Sequence, residues 1–283
     1  MTTIAGTTVL TGIIGWPVSH SLSPAMHNAA FASEGLDMAY VPLPVAPARV
    51  EAAVAGLRAL GFRGVNVTMP HKAAVLPLLD WIDGDARGIE AVNTIVVEPG
   101  ELRGYNTDVG GFVAALREVV PEPLTGAGAL VLGAGGVARA AVLGLARLGV
   151  ARCTVAARTP ARGEDLVRLL QPLAAGTRFT VLAFGELEAA VVREADILVN
   201  ATPLGMDEAL KVPRVLVDNI LRDHIVYDVV YGQRPTMPLE QARALGARAI
   251  DGLAMLVCQA ALSFELWTGR PAPREVMRSA ARR

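Results

Sequence analysis

Ala129-Leu130-Val131-Leu132-Gly133-Ala134-Gly135-Gly136-Val137-Ala138-Arg139 runs from four apolar residues into a glycine cluster and on into an alanine-rich helical pattern. Strand, tight turn and helix in that order are the sequence form of a dinucleotide-binding turn. Gly133 would permit the turn, and Gly135 would let the backbone approach a pyrophosphate. Ala138 stands where a small residue keeps helix and strand close, and the free amides of Ala134, Gly136 and Val137 at the helix start would face phosphates. Short glycine runs also serve as plain connections, so the turn alone leaves both readings open.

The next strand, Arg152 to Ala156, breaks the tie. About twenty residues beyond the turn its end should carry the group that reads the adenine ribose, a carboxylate where the 2′-hydroxyl is free. The chain has Ala157-Arg158-Thr159-Pro160-Ala161-Arg162 there, and no carboxylate before Glu164. Two guanidinium groups with a hydroxyl between them suit a 2′-phosphate, because the planar fork of Arg matches phosphate oxygens bidentately. The implied cofactor is NADP.

At 283 residues the chain is long for one doubly wound unit and suits two domains. Hydrophobic residues make up 52% and charged residues 19%, enough to bury large cores and too apolar for disorder. The formal net charge is -1 and no Lys/Arg run forms a basic patch, which argues against nucleic acid or a membrane surface and for a small ligand. The two cysteines, Cys153 and Cys258, have neither paired spacing nor flanking His, and read as reduced core thiols in a cytoplasmic protein. The opening residues show no basic start followed by an apolar run, so no secretory signal is expected. Gly252 to Thr268, the most apolar helix, is interrupted by Gln259, Ser263 and Glu265 and is too short and polar to span a bilayer.

Taken in order, Leu10–Gly15 reads as a strand, and Pro24 opens a helix to about Ser33, leaving Ser21 and Ser23 where hydroxyls reach ligands in an open α/β sheet. Ser23 is equally placed to be an ordinary helix cap. His20 and His27 lack carboxylate or thiol company, so no metal site is expected. A strand at Met38–Leu43, a helix over Ala48–Leu60 and a strand at Arg63–Val67 lead to Thr68-Met69-Pro70-His71-Lys72. Pro70 predicts a first helical turn there, which would bring Asn66, Thr68 and Lys72 together and set the Lys72 ammonium against the helix dipole. Ala91-Val92-Asn93-Thr94 begins another strand, and Asn106-Thr107-Asp108 precedes a helix to about Val119, with Asp108 as that helix's start or something more. Pro121 to Gly128 is a Pro/Gly-rich link. Strands at Arg152, Phe179, Asp196 and Ile225 then alternate with helical patterns, which predicts a parallel sheet with right-handed crossovers. Asn200-Ala201-Thr202-Pro203 follows a strand's carboxyl end and should border a nucleotide. The pattern after Asp251 is helical and should pack back on the first domain.

These segments together, with Ile14-Gly15-Trp16-Pro17-Val18-Ser19-His20-Ser21, Leu204-Gly205-Met206, Tyr227-Asp228 and Met255-Leu256-Val257, resemble the shikimate dehydrogenase family in the same order along nearly the whole chain. The resemblance implies an α/β protein of two domains. An N-terminal α/β substrate domain (1–107) is completed by C-terminal helices (250–283), and a Rossmann-type dinucleotide-binding domain (108–249) carries NADP. It also implies the reversible NADPH-dependent reduction of 3-dehydroshikimate to shikimate in aromatic amino-acid precursor synthesis. By resemblance Ser21 and Ser23 bind the substrate carboxylate. Asn66, Thr68, Asn93, Tyr231 and Gln259 supply its other polar contacts. Lys72 and Asp108 are the catalytic pair, one from each domain, and Asp108 also touches substrate. Ala157, Arg158, Thr159 and Arg162 form the 2′-phosphate edge, while Thr202, Val229 and Gly252 line the cofactor toward the nicotinamide. Departures from the family pattern are Ala157 for a common Asn, Gly232-Gln233 for Asn-Pro, and Ala254 for a second glycine.

Hydride transfer to a ketone builds negative charge on oxygen, which a proton donor must neutralise. Lys72 is the expected donor and Asp108 its ion-pair partner. The alternatives are a quinate/shikimate or aminoshikimate-type paralogue, and a non-catalytic nucleotide-binding protein that kept the fold. Monomer and homodimer both fit.

Overall fold

The computed structural model describes residues 4–207, 209–232 and 234–282. It divides into two units, Met1–Gly111 with Val257–Arg283, and Phe112–Leu256.

The first unit opens with strand β1 (Val9–Gly15), helix α1 (Ser23–Ser33), β2 (Met38–Pro44), α2 (Val50–Ala59) and β3 (Gly64–Val67). Then come β4 (Trp81–Ile82), α3 (Gly84–Gly88), β5 (Thr94–Glu98), β6 (Glu101–Tyr105) and the start of α4 (Thr107–Val119). The sheet order is β2-β1-β3-β5-β6-β4. β1 pairs in parallel with β2 and β3, whereas β3–β5 and β5–β6 are antiparallel. Ile14, Val65, Val67 and Ile95 from the sheet meet Val54 and Leu57 of α2 in one buried cluster, and each such side chain contributes about 1.5–3 kcal/mol.

The helix expected after Pro70 does not form. The Lys72 carbonyl accepts from the Val92 amide at 2.8 Å, so it is committed to the segment before β5 rather than along a helix. Residues 69–75 are turns, with only a short 3-10 segment, Leu76–Leu78, beyond them. The helix-dipole reading of Lys72 falls with that helix.

The second unit contains β7 (Gly128–Leu132), α5 (Gly136–Arg147), β8 (Arg152–Ala157), α6 (Pro160–Leu170), β9 (Arg178–Ala183), α7 (Ala189–Arg193) and β10 (Ile197–Asn200). It continues with α8 (Arg214–Val217), β11 (Ile225–Asp228), α9 (Met237–Leu245) and β12 (Arg248–Ile250). All its strand pairs are parallel, in the order β9-β8-β7-β10-β11-β12. Counted from β7 this is 3-2-1-4-5-6, the doubly wound dinucleotide-binding order, whose crossover reverses between β7 and β10. β7 and β10 are buried at every position, as strands covered on both faces must be.

Helix α10 (Gly252–Thr268) passes from the second unit into the first, and α11 (Arg274–Ala281) follows it. Trp267 anchors α10 to the first sheet. Its indole N–H donates to the Ile95 carbonyl at 3.1 Å, and its own carbonyl accepts from Arg63 Nε at 2.8 Å. The division falls at Gly111/Phe112 and Leu256/Val257, not at 107/108 and 249/250. Asp108 therefore shares a unit with Lys72, and the expectation that separate domains carry them is corrected. The first turn of α4 is held by first-unit groups, Asn106 and Asn93. No helix among the described residues is long and apolar enough to cross a membrane.

Candidate active site

In the first unit the site is a hydrogen-bonded network around one ion pair. Lys72 Nζ donates to Asp108 Oδ2 at 2.5 Å, with the two side chains 19% and 9% exposed. The other carboxylate oxygen, Oδ1, accepts from Asn93 Nδ2 at 2.8 Å. Asn93 lies just before β5, and its side-chain oxygen accepts from the Thr107 amide at 2.7 Å. Asn106 Oδ1 accepts from the amides of Asp108 and Val109, so its side chain caps α4 and aims Asp108. Asn106 Nδ2 donates to the Ala91 carbonyl at 2.8 Å, which ties that cap to the turn before β5.

Behind the pair the network is buried. Asn66, at the carboxyl end of β3, donates to Thr94 Oγ1 at 3.0 Å and to Ser263 Oγ at 2.9 Å, and its Oδ1 accepts from the Tyr40 hydroxyl at 2.8 Å. Gln259 Oε1 lies 3.4 Å from Asn93 Nδ2. Buried polar groups cost little only when their partners are supplied, and here each of these donors finds an acceptor. Thr68 is half-buried after β3, its amide bonded to the Ile14 carbonyl at 2.9 Å. Ser21 lies in the β1–α1 connection and Ser23 opens α1, and Ser21 Oγ accepts from the Ser23 amide at 3.3 Å. Ser23 is not the cap considered above: α1 has no side-chain cap, and its N-cap residue is Leu22.

The structure thus brings Asn66, Asn93, Lys72, Asp108 and Gln259 into one network. Tyr231 belongs to the second unit, after β11, where burial pushes its phenol pKa up. Thr107, Thr94, Ser263 and Tyr40, none of them expected at the site, complete the network. Ser263 was legible in principle, since it lies one helical turn after Gln259 and so on the same face of a mostly apolar helix.

In the second unit Gly133 follows β7 with φ +110, a conformation that favours glycine, and its amide donates to the Ala156 carbonyl at 2.8 Å. A Cβ on Gly133 would also crowd Thr202 Cγ2 at 2.9 Å, so the first glycine and the β10 loop approach closely at the switch point. Gly135 and Gly136 face open space and are exposed, with Ala134 and Val137 half-buried beside them. Gly135 is the N-cap of α5 and offers no side chain, so the first amides of the helix have no side-chain cap. This cradle fits a diphosphate. Arg158, Thr159 and Arg162 are exposed at the end of β8 and the start of α6, as a 2′-phosphate edge requires. Ala157 is buried and can offer a ligand only its backbone.

The β10 loop is fixed from below. Asn200 Oδ1 accepts from Thr202 Oγ1 at 2.6 Å, and Asn200 Nδ2 donates to Asp228 Oδ1 at 3.0 Å. Asp228 Oδ2 accepts from Thr236 Oγ1 at 2.6 Å; burial pushes its carboxyl pKa up while these bonds pull it down. Val229 and Gly252 touch, for a Cβ on Gly252 would collide with the Val229 carbonyl. Gln233, one of the departures noted above, lies outside the described residues. Among the described residues no group of three or more His, Cys, Asp or Glu could hold a metal. His27 is buried in the core.

Comparison with known proteins agrees with both halves. Residues 13–95 match the model of the shikimate dehydrogenase substrate binding domain, residues 115–207 that of shikimate / quinate 5-dehydrogenase, and residues 252–282 that of the shikimate 5'-dehydrogenase C-terminal domain. The chain is 45% identical to the shikimate dehydrogenase (NADP(+)) of Citrifermentans bemidjiense, over 98% of this chain and 96% of that one. A shikimate dehydrogenase crystallised with NADP+ superposes with a TM-score of 0.90 at 37% identity, covering 99% of this chain and 96% of the other. The enzyme of Thermus thermophilus, crystallised with NADP(H) and shikimate, gives 0.85 at 38% identity, covering 97% and 99%. With identity of this level along essentially its full length, the chain belongs to the shikimate dehydrogenase family of oxidoreductases.

Proposed function

We propose that this protein catalyses the reversible NADPH-dependent reduction of 3-dehydroshikimate to shikimate, with Lys72 and Asp108 as the proton-transfer pair. The observation that carries this reading is the ion pair itself, a partly exposed ammonium held at 2.5 Å by a carboxylate that Asn93 fixes from the other side.

Bound NADPH would supply a hydride to the ketone carbon. Lys72 Nζ gives the carbonyl oxygen its proton, so that the alkoxide charge never accumulates, and takes the proton back in the reverse direction. Asp108 holds the ammonium in place and has Oδ1 committed to Asn93, which keeps the pair in one geometry. Ser21 and Ser23 receive the substrate carboxylate, while Asn66, Thr68, Asn93, Tyr231 and Gln259 meet its hydroxyls. A site built from neutral amides and hydroxyls discriminates by leaving a partner unpaired when a hydroxyl is missing. Gly133 to Val137 would hold the diphosphate, Arg158, Thr159 and Arg162 the 2′-phosphate, and Thr202, Val229 and Gly252 the nicotinamide end. In this assignment the first unit is the substrate domain and the second the cofactor domain. The buried thiols Cys153 and Cys258 suit a reducing compartment, and we place the protein in the cytoplasm as a monomer or homodimer.

Steady-state rates with shikimate and quinate, each with NADP and NAD, test the assignment. Shikimate with NADP should give the highest kcat/KM. Quinate with NAD outpacing it would transfer the protein to the quinate branch of the same family.

A further inference from the structure

Asn106 is buried, and both ends of its side-chain amide bond main-chain groups, which fixes which end is the oxygen. Its Nδ2 donates to the Ala91 carbonyl at 2.8 Å, and its Oδ1 accepts from the Asp108 amide at 3.0 Å and the Val109 amide at 3.3 Å. The segment it reaches, 91–93, is committed at every amide. Ala91 donates to the Ala86 carbonyl at 3.0 Å, Val92 to the Lys72 carbonyl at 2.8 Å and Asn93 to the Tyr105 carbonyl at 3.0 Å. The Asn93 carbonyl in turn accepts from the Val67 amide at 2.8 Å. Glu90, which leads into the segment, has φ 52, and among the described residues it is the one non-glycine with positive φ. Such a conformation persists only where the surroundings over-determine it.

We propose that Asn106 is a positioning residue for proton transfer: it registers the start of α4 to the same segment, 91–93, that holds the Lys72 main chain, and so sets Asp108 against Lys72. The inference rests on the reading of Lys72 and Asp108 as the proton-transfer pair.

The two members of the pair come from separate stretches of chain, and both stretches are bonded to the same three residues. Val92 holds the Lys72 carbonyl, Asn93 Nδ2 holds Asp108 Oδ1, and Asn93 Oδ1 accepts from the Thr107 amide at 2.7 Å. The bond at Thr107 alone would locate the start of α4 and leave it free to pivot. Asn106 adds a second bond one residue earlier, from its Nδ2 to Ala91, and that fixes the direction in which Asp108 leaves. Capping does not account for this bond. A cap needs only a side-chain oxygen, and Asn, Asp and Ser serve about equally well there. The donor half of the Asn106 amide is committed outside the helix, to the segment that carries Lys72. Reacting groups tolerate little displacement, a shift of about 1 Å costing as much as a hundredfold in rate.

The test compares Asn106→Ser, Asn106→Asp, Asp108→Asn and the double variant Asn106→Ser/Asp108→Asn in shikimate oxidation with NADP, each below its own melting temperature. Serine keeps a cap oxygen, but its hydroxyl ends one bond nearer the main chain than Nδ2 and leaves the Ala91 carbonyl unbonded. Aspartate keeps the accepting oxygen and turns a second one on that carbonyl. Asn106→Ser should lower kcat about tenfold, leave KM for shikimate within about threefold and KM for NADP unchanged, and enlarge the solvent deuterium isotope effect on kcat as proton transfer slows. Asn106→Asp should lose more than Asn106→Ser, and the double variant should be no worse than Asp108→Asn. A role in capping alone would leave kcat and the isotope effect at parental values in both single variants whatever the melting temperature does, which overturns the proposal. So does a raised KM for shikimate with kcat intact, and so do multiplying effects in the double variant, since they make the two residues independent. Turnover lost in Asp108→Asn beside parental turnover in Asn106→Ser removes this inference and spares the pair. Parental turnover in Asp108→Asn removes both.

Discussion

Lys72 and Asp108 lie 36 positions apart in sequence and meet at 2.5 Å within a single unit of the structure. Their meeting is set by two backbone commitments, the Lys72 carbonyl to the Val92 amide and the Asp108 amide to Asn106 Oδ1. The pair proposed to transfer the proton is therefore assembled by the first unit's own fold.

Lys72→Ala should fold and bind NADP normally while turnover falls by about 10²–10⁴, the usual cost of losing a general acid. Asp108→Asn should lose about as much, because an amide facing the ammonium cannot neutralise it. Turnover within a few-fold of the parent in either variant, measured at saturating substrate, would remove that residue from the mechanism.

Arg158→Ala removes an exposed side chain, so stability should stay within about 0.5 kcal/mol. A charge-assisted phosphate contact is worth about 1.5–3 kcal/mol, so kcat/KM with NADP should drop about 10–100-fold. The value with NAD should hold. Equal losses with both nucleotides would show that Arg158 does not read the 2′-phosphate.

Gly252→Ala puts a methyl against the Val229 carbonyl, so the backbone of one must retreat. The expected cost is about 1–3 kcal/mol in a urea melt, together with a raised KM for NADP and an unaltered KM for shikimate. A fully stable variant with parental kinetics would show that the close approach is dispensable.

His27 is completely buried between Tyr40, Phe31 and Trp267, and burial alone lowers its pKa from 6.5 to about 3. The folded state excludes a proton that the unfolded chain binds below about 6.5. Stability from this group is thus complete at neutral pH and declines by about 1.4 kcal/mol per pH unit as acid carries the solution from 6.5 toward 3. His27→Phe should flatten that slope, gaining about 2 kcal/mol on the parent between pH 7 and pH 5 in denaturant titrations. Parallel slopes for the two proteins would place the acid sensitivity elsewhere.

The two halves were unequally legible in the sequence. β7, the glycine turn and α5 stand out because a parallel strand buried on both faces is an unbroken apolar run, and a diphosphate cradle needs glycine where nothing else fits. The first unit mixes parallel and antiparallel pairs, and it includes a two-residue strand and a five-residue helix too short to leave a periodic trace. Pro70 misleads because proline fits a first helical turn as well as a bend, and only the long-range bond from Val92 to Lys72 decides between them. Asp108 is legible, but the helix it begins belongs to both units, and local pattern cannot say where along it the packing partners change. Tyr40 is not, since one hydroxyl in an apolar stretch looks like filler until the fold sets it opposite Asn66.

Asn28 of α1 clamps the backbone of Tyr40 in β2, its Oδ1 accepting from the Tyr40 amide at 2.8 Å and its Nδ2 donating to the Tyr40 carbonyl at 2.9 Å, and this bears on self-association. β2 is the terminal strand of its sheet, and its outward-facing rim offers no free amide along residues 38 to 44. Met38 donates to Leu36, Tyr40 donates to Asn28, and positions 42 and 44 are proline. A strand from another molecule would find no donor ladder there to extend, the usual protection of such rims against aggregation. Two copies of this chain could pair through some other surface, but not by continuing this sheet past β2.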